Sequence, residues 1–245
     1  MKPYKFDPYL KTTIWGGYQI APFKGIFTAQ PNIGESWEIS GVPGHESVAI
    51  ERGLIDDVDV GLNLTQLIDK YKGRLVGDMN GHSPMQDVIA THEAHQGDLY
   101  FLPAGRLHAI GAGNFLAEIQ ETSDITYRVY DFGRKDQHGN PRELHVDLAK
   151  DAIDYQVWPE YRTSYDSTKP NSQLINCPYF NVNRVVVQVA AQIDFKVDSF
   201  VVVMCLWGEA NINGIKVRQG ETLLVPACEN VLYIFGNATF LTAYI

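Results

Sequence analysis

The sequence has 245 residues, 45% of them hydrophobic and 11% aromatic, so the chain can bury a substantial core as one large domain or two small ones. Its formal net charge of −9 disfavours nucleic acid and anionic membrane surfaces as partners, because both are bound by clusters of Lys and Arg. It has no apolar run of signal-peptide or membrane-helix length, and no CxxC pair among Cys177, Cys205 and Cys228, so we expect a cytoplasmic protein with reduced thiols.

Short β-branched and aromatic runs, separated by Gly, Pro and Asn, dominate the chain and predict antiparallel sheet packed as a sandwich or barrel. We expect helices in only two places. Residues 63–75 have apolar side chains at helical spacing, and Asn63 or Thr65 can cap their start. Residues 144–155 carry a second stripe of this kind. The first stripe consists of Leu64, Leu67, Ile68, Tyr71 and Leu75, and the second of Leu144, Leu148, Ala149, Ala152 and Ile153.

An internal repeat is the clearest sign of domain organisation. Residues 96–104 read QGDLYFLPA, and residues 219–227 read QGETLLVPA. In both copies a Gln-Gly-acid turn precedes an apolar strand, which Pro-Ala ends because proline cannot donate to a sheet ladder. Residues 199–217, before the second copy, have the pattern of a strand, a Gly-rich turn and another strand, whereas residues 77–95, before the first copy, have little strand character. The repeat predicts two related β-domains, of which the first lacks a hairpin.

One histidine stands in a distinctive turn. Residues 97–108 fit the pattern G-x5-P-x-G-x2-H through Gly97, Pro103, Gly105 and His108. This pattern resembles the second sequence motif of the cupins, which are double-stranded β-helix proteins. The glycines permit tight turns, the proline ends a strand, and the next strand directs His108 into the barrel. A neutral imidazole there can bind a divalent metal, although a lone histidine can equally be a hairpin residue bonded to backbone.

Five motifs in chain order make the resemblance more specific. They are KTTIWGG at 11–17, IGESWEIS at 33–40, PAGRLHAIG at 103–111, EIQETSDITYRVYDFGR at 118–134 and PRELH at 141–145. Together they resemble the bacterial type I mannose-6-phosphate isomerases. The resemblance implies interconversion of mannose 6-phosphate and fructose 6-phosphate, with a zinc ion that polarises the substrate oxygens while a base moves a proton between C1 and C2.

The same resemblance implies an architecture. It predicts an all-β bicupin with a few short helices. Residues 1–134 would form a first, incomplete cupin domain, residues 135–165 a helical connection, and residues 166–245 a second cupin domain.

The resemblance also assigns roles to four residues. His108 matches the last protein ligand of the zinc ion, and Arg128 matches the catalytic arginine. Trp15 and Glu35 match positions that line the substrate pocket. A guanidinium at Arg128 keeps its charge at any working pH and can grip the substrate or stabilise developing negative charge.

Structural explanations stand beside two of these roles. Arg128 can form an ion pair with Asp124 or Asp131, and Trp15 can be a core residue. For Glu35 the alternation of GESWEI puts the carboxylate on one strand face with Trp37 and Ile39, where it is costly without a partner or a function.

The sequence departs from the family at the metal site. The Gln-x-His-Pro segment that supplies other zinc ligands in the family is absent, and no Q-x-H occurs in the chain. We therefore predict that several dozen residues are missing between about Asn80 and Met85. His82, His92, Glu93 and His95 are the possible substitute ligands, although exposed surface histidines are the ordinary explanation for this cluster.

The departure leaves two further interpretations open. The chain can be a catalytically inactive sugar-phosphate-binding remnant, or a truncated form of a longer active enzyme. A missing hairpin would leave sheet edges exposed, which a homodimer or packing of the second domain against the gap would cover.

Overall fold

The computed structural model describes residues 2–38, 62–69, 92–111, 113–121, 126–131, 133–136, 138–156, 160–229 and 231–245. The N-terminal region, which comprises the described residues from 9 to 156, contains β2 (Tyr9–Gly17), α1 (Ile20–Lys24), β3 (Ile33–Trp37), β4 (Leu62–Asp69), β5 (Phe115–Glu121) and α2 (Val146–Ala152). The C-terminal region, residues 160–245, contains β6 (Asn171–Asn176), β7 (Asn181–Val187), β8 (Ala190–Asp194), β9 (Val201–Ile212), β10 (Ile215–Arg218), β11 (Thr222–Val225) and β12 (Val231–Tyr244). A short strand, β1 (Tyr4–Lys5), precedes them all.

The C-terminal region is one antiparallel sheet folded around an apolar core. Its described strands follow the order β1-β11-β9-β12-β7-β6, with β10 paired to β9 and β8 paired to β12. β9 and β12 form the longest ladder, and a bulge between Thr239 and Phe240 bends it. Val203, Leu223 and Phe240 are fully buried in the core cluster of this region. These residues belong to the short β-branched and aromatic runs from which the sequence predicts sheet.

The N-terminal region contains a smaller antiparallel sheet, in which the described strands follow the order β2-β3-β4-β5. Every residue of β3 is buried, so this strand lies in the middle of the region both in pairing and in packing. α1 follows β2 and ends at Gly25, which takes the left-handed conformation with φ 66°.

The two regions share their core. β1 pairs with β11, although it lies at the other end of the chain. Ile20 and Ile33 of the N-terminal region pack with Met204 of β9 in one buried cluster. Lys24 at the end of α1 contacts both Glu38 and the carbonyl oxygen of Gly220, and all of these groups are buried. The domain boundaries expected from the sequence stay a prediction.

The all-β class with a few short helices is confirmed. So are the helix in residues 144–155, observed as α2, and the hairpin before the second repeat copy, observed as β9 and β10. The stripe on α2 is largely exposed, since Leu144 and Leu148 are 48% and 56% accessible and only Ala149 is buried.

The helix predicted at residues 63–75 is wrong over its described part. Residues 62–69 form β4, which pairs with β3 on one side and β5 on the other. Two neighbouring ladders satisfy more backbone groups than a short isolated helix would, so pairing overrides the local helical spacing. The remainder of that prediction, and the predicted deletion near residues 79–85, lie outside the described residues.

The helices in the described part of the chain are too short or too polar to cross a bilayer. All three cysteines are free thiols, and Cys205 is buried in β9 as its apolar neighbours predict. Burial raises the pKa of the Cys205 thiol to about 12.

Candidate functional site

The most concentrated charge in the N-terminal region surrounds Asp131. This carboxylate is buried, and it accepts hydrogen bonds from Arg142 Nε at 2.7 Å and from Arg134 Nη2 at 2.5 Å, with a further close contact from Arg142 Nη2. Burial raises the pKa of Asp131, but the hydrogen bonds and charges of the two arginines outweigh it and hold that pKa below its usual range. The carboxylate therefore remains charged and orients both guanidinium groups.

Trp15 forms the floor beneath these arginines. The guanidinium carbon of Arg142 lies 4.8 Å from the centre of a Trp15 ring, and that of Arg134 lies 5.4 Å away. These are cation–π distances, which a half-buried indole on β2 makes possible. Trp15 is therefore part of a polar cluster and not simply a core residue.

Arg128 completes the cluster. Its Nη1 donates to the carbonyl oxygen of Glu143 at 3.1 Å, and its backbone is bonded to His145. Burial lowers the pKa of Arg128, and the charges of Arg142 and Arg134 lower it further, while Asp131 opposes them. Asp131 makes its ion pairs with Arg134 and Arg142, so the alternative of an Arg128–Asp131 ion pair is not observed, and Asp124 lies outside the described residues.

We call Trp15, Arg128, Asp131, Arg134 and Arg142 the arginine cluster. The guanidinium groups of Arg134 and Arg142 contact one buried carboxylate there, and that of Arg128 lies near enough to interact electrostatically with all three. Positive charge is therefore in local excess, although the whole chain carries −9. Such an excess attracts an anion, and planar guanidinium groups suit phosphate in particular. Sequence reasoning identified Trp15 and Arg128 but missed Arg134 and Arg142. Both could have been found, because they lie in motifs that carry the family resemblance, Arg134 at the end of YDFGR and Arg142 in PRELH.

Glu35 lies on β3, next to the strand that carries Trp15. Its carboxylate is buried, accepts a hydrogen bond from Trp37 Nε1 at 3.1 Å, and lies 3.3 Å from Lys11 Nζ. The predicted shared face of Glu35 and Trp37 is confirmed, and Ile39 lies outside the described residues. These partners give the buried carboxylate a structural explanation without a substrate.

His108 is held by the turn that the sequence predicts. Gly105 has φ 85°, and its carbonyl oxygen accepts a hydrogen bond from the Asp154 amide at 2.9 Å, which docks the turn on the end of α2. A Cβ at Gly105 would lie 2.7 Å from the Ala152 carbonyl oxygen, so glycine is needed here. The His108 ring is exposed and lies outside any strand, so the expectation that the next strand directs it into the barrel is wrong. Its Nδ1 lies 2.9 Å from the Arg106 carbonyl oxygen. With Nδ1 donating, Nε2 carries the lone pair that a metal ligand needs.

The other ligands for a metal are not assembled around it. In the part of the chain that the structure describes, no three His, Cys, Asp or Glu side chains form a group able to hold a metal ion. His92 stacks on Tyr161 with ring centres 3.4 Å apart, and His95 lies near Glu93 and Asp98. Since a catalytic zinc ion usually takes three protein ligands, the described residues do not fit one. His82 lies outside them.

The fold and the arginine cluster define an antiparallel β-protein in which positive charge is concentrated over the ring of Trp15. No protein-family model matches the chain. It is 34% identical over 147 residues to mannose-6-phosphate isomerase ManA of Bacillus subtilis, which covers 57% of this chain and 46% of that protein. It is 31% identical over 137 residues to mannose-6-phosphate isomerase of Streptococcus mutans, covering 53% of this chain and 43% of that protein. The chain spans about half the length of the curated relatives it matches.

Solved structures share the fold. The crystal structure of mannose 6-phosphate isomerase from Bacillus subtilis matches with a TM-score of 0.77 and 22% identity, covering 100% of both chains. A variant of phosphomannose isomerase from Salmonella typhimurium matches with a TM-score of 0.72 and 11% identity, covering 100% of this chain and 99% of that chain. The resemblance to mannose-6-phosphate isomerases is thus confirmed, in sequence by the curated relatives and in fold by the solved structures.

Proposed function

We propose that this protein is a mannose-6-phosphate isomerase, which interconverts mannose 6-phosphate and fructose 6-phosphate. The observation that carries the proposal is the arginine cluster, an excess of guanidinium charge on an indole in an acidic protein. A sugar phosphate has two groups that match this surface. Its anionic phosphate can bind the arginines, and the apolar face of its sugar can pack on the aromatic ring. The similarity to proteins named mannose-6-phosphate isomerase supports this choice among sugar phosphates.

In the proposed site, the residues have separate tasks. Arg128 stabilises the negative charge that develops on a substrate oxygen as a proton moves between C1 and C2. Arg134 and Arg142, held by Asp131, supply positive potential and support for the bound anion. Trp15 forms a wall of the pocket, and Glu35 supports that wall from the adjacent strand.

The proposal includes zinc only through His108 as one possible ligand. The described residues offer this one histidine from the family's ligand set, so we derive no step through a metal ion. Measuring metal content together with activity therefore separates an isomerase from a sugar-phosphate-binding protein without turnover.

The test is a coupled assay for fructose 6-phosphate formed from mannose 6-phosphate, with and without added zinc, on protein whose metal content is known. We expect turnover, and a fall in kcat/KM of about 10²–10³-fold in Arg128→Ala, the loss typical of removing one group that stabilises developing charge. Arg184→Ala is the matched control, because Arg184 is equally half-exposed, donates to the Ser167 carbonyl oxygen and lies on β7, outside the arginine cluster. Binding of both sugar phosphates is measured in parallel by calorimetry.

Three outcomes are informative. Turnover that depends on Arg128 and not on Arg184 supports the proposal. Binding without turnover at any zinc concentration overturns it in favour of an inactive binding protein. Absence of both binding and turnover in the folded protein excludes both sugar phosphates as substrates and as ligands.

We also propose a cytoplasmic location, which the free state of Cys177, Cys205 and Cys228 supports. The homodimer expected from the missing hairpin stays a prediction, which sedimentation of the purified protein tests.

A further inference from the structure

Arg128 is bonded to one other residue through both of its backbone polar groups. The Arg128 amide donates to His145 Nδ1 at 3.1 Å, and the Arg128 carbonyl oxygen accepts from the His145 amide at 2.7 Å. The two residues lie 17 positions apart in the chain. This pair of hydrogen bonds therefore joins two separate segments of the chain at the backbone of Arg128.

The bond fixes the chemistry of the imidazole. Because the Arg128 amide is a donor, Nδ1 must be the acceptor, and the neutral ring carries its proton on Nε2. Nε2 lies 3.8 Å from the Glu143 carboxylate, and the Tyr127 ring is centred 6.3 Å from the imidazole. The His145 side chain is 25% exposed, so the ring is partly enclosed by the segment that it holds.

A helix holds His145 in turn. His145 lies immediately before α2, and its carbonyl oxygen accepts the first helical hydrogen bond, from the Ala149 amide at 2.9 Å. The other end of α2 receives the glycine turn that carries His108. α2 thus anchors His145 by a backbone hydrogen bond, although the helix is only partly buried.

The same short segment also holds the charged end of Arg128. The Glu143 carbonyl oxygen accepts from Arg128 Nη1 at 3.1 Å. Residues 143–145 therefore fix both the backbone and the guanidinium of Arg128, and they do so without neutralising its charge by a side-chain carboxylate among the described residues. An arginine that must meet a substrate keeps its charge available in this way.

We propose that His145 is a positioning residue for Arg128, acting through the acceptor Nδ1. The inference rests on the proposed isomerase function, in which Arg128 contacts the substrate. His145 itself touches neither substrate nor reacting atoms. Its removal displaces Arg128, and a displacement of about 1 Å at a reacting centre can cost on the order of 10²-fold in rate.

The test compares two amides at position 145. In His145→Asn the side-chain oxygen can occupy the place of Nδ1, whereas in His145→Gln the amide reaches the place of Nε2 and leaves the Arg128 amide without its acceptor. We expect His145→Asn to keep kcat within about threefold of the wild type and His145→Gln to lower kcat roughly 10–100-fold with little change in KM. His138→Gln is the matched control, since His138 is an exposed histidine on the same loop segment.

A second measurement does not need turnover. Nitrogen-15 NMR of the imidazoles should show His145 with an unprotonated Nδ1 in the neutral state. Hydrogen exchange of the Arg128 amide should be slow in the wild type and in His145→Asn, and fast in His145→Gln.

The outcomes distinguish this inference from the proposed function. Equal kcat values for the Asn and Gln variants in an active protein overturn the inference, as does a proton on Nδ1. A wild type that neither binds nor converts sugar phosphates overturns the proposed function, and the exchange of the Arg128 amide then still decides whether His145 holds this residue. If an amide variant fails to fold, the NMR of the wild type decides alone.

Discussion

The two copies of the QG-acid repeat adopt different structures. In the C-terminal copy, Thr222–Val225 form β11, which is entirely buried and pairs with β9 and β1. In the N-terminal copy, residues 98–103 are outside any strand, so the strand predicted there is wrong, and Tyr100 and Leu102 are exposed. Similar local sequence therefore does not suffice for a strand.

The two copies differ in the segment with which their backbone forms hydrogen bonds. β9 offers β11 a continuous ladder of backbone groups. In the N-terminal copy, the Leu99 carbonyl oxygen accepts from the Thr163 amide at 2.8 Å, and the Phe101 amide donates to the Thr163 hydroxyl at 3.3 Å. Thr163 thus satisfies two of the backbone groups that a neighbouring strand would satisfy in the other copy.

The carbonyl oxygens of the two repeat glycines give the strongest test of this comparison. Gly220 accepts from buried Lys24, which also pairs with fully buried Glu38, whereas Gly97 accepts from the exposed Tyr165 hydroxyl at 3.0 Å. Burial raises the pKa of Glu38 against the opposing charge of Lys24. We expect Lys24→Met to lower the free energy of unfolding by about 3–5 kcal/mol, because it leaves a buried carboxylate unpaired. Tyr165→Phe should cost about 1 kcal/mol or less.

Urea unfolding of both variants checks this prediction. The double variant Lys24→Met with Glu38→Leu should recover most of the loss, because an apolar pair can replace a buried ion pair. Equal costs for Lys24→Met and Tyr165→Phe would contradict the view that the C-terminal copy is held more firmly by its contacts than the N-terminal copy.

The same glycines provide a second, smaller effect. Both have positive φ, 78° at Gly220 and 88° at Gly97, so alanine is strained at either place by about 1–2 kcal/mol. A Cβ at Gly220 would also lie 2.7 Å from Lys24 Cα, whereas at Gly97 the nearest atom would be the Tyr165 hydroxyl at 3.4 Å. We expect Gly220→Ala to cost about 3 kcal/mol and Gly97→Ala about 1 kcal/mol. Thermal and urea unfolding measure the difference, and equal losses would show that strain alone matters.

Sequence patterns predicted the C-terminal region better than the N-terminal region. The hairpin β9–β10 and the strand β11 follow from apolar runs and turn residues that lie close together in the chain. β4 does not, because its strand conformation comes from pairing with β3 and β5 and opposes the helical spacing of its own residues.

The candidate site shows the same limit. Motifs pointed to Arg128 and Trp15 as separate residues, and Asp131 was considered only as a partner for Arg128. The pairing of Asp131 with Arg134 and Arg142 joins positions up to 11 residues apart across a loop, and no local period reports such a contact. The sequence offers His145 only as the end of PRELH, since its role depends on a hydrogen bond across 17 residues.

The smallest of the three main losses of stability concerns the contacts that hold the N-terminal loops together. Asp131 ties Arg134 and Arg142 by side-chain bonds where the C-terminal region uses strand ladders. Its pKa lies below the usual range in the folded protein, so its stabilisation is present above the ordinary pKa of an aspartate and is lost as the pH falls through the folded-state value. We expect Asp131→Asn to cost about 1–3 kcal/mol at pH 7.

The pH dependence makes this prediction specific. The cost of Asp131→Asn should shrink steadily below about pH 4, because protonation removes the same charge from the wild type. Urea unfolding from pH 7 to pH 3 measures it, with Asp147→Asn as the control, since Asp147 is exposed and pairs with Lys150 at the surface. A cost that is independent of pH would mean that the Asp131 side chain holds the loop by shape and not by charge, and the N-terminal region would then resemble the C-terminal region more closely than the ion pairs indicate.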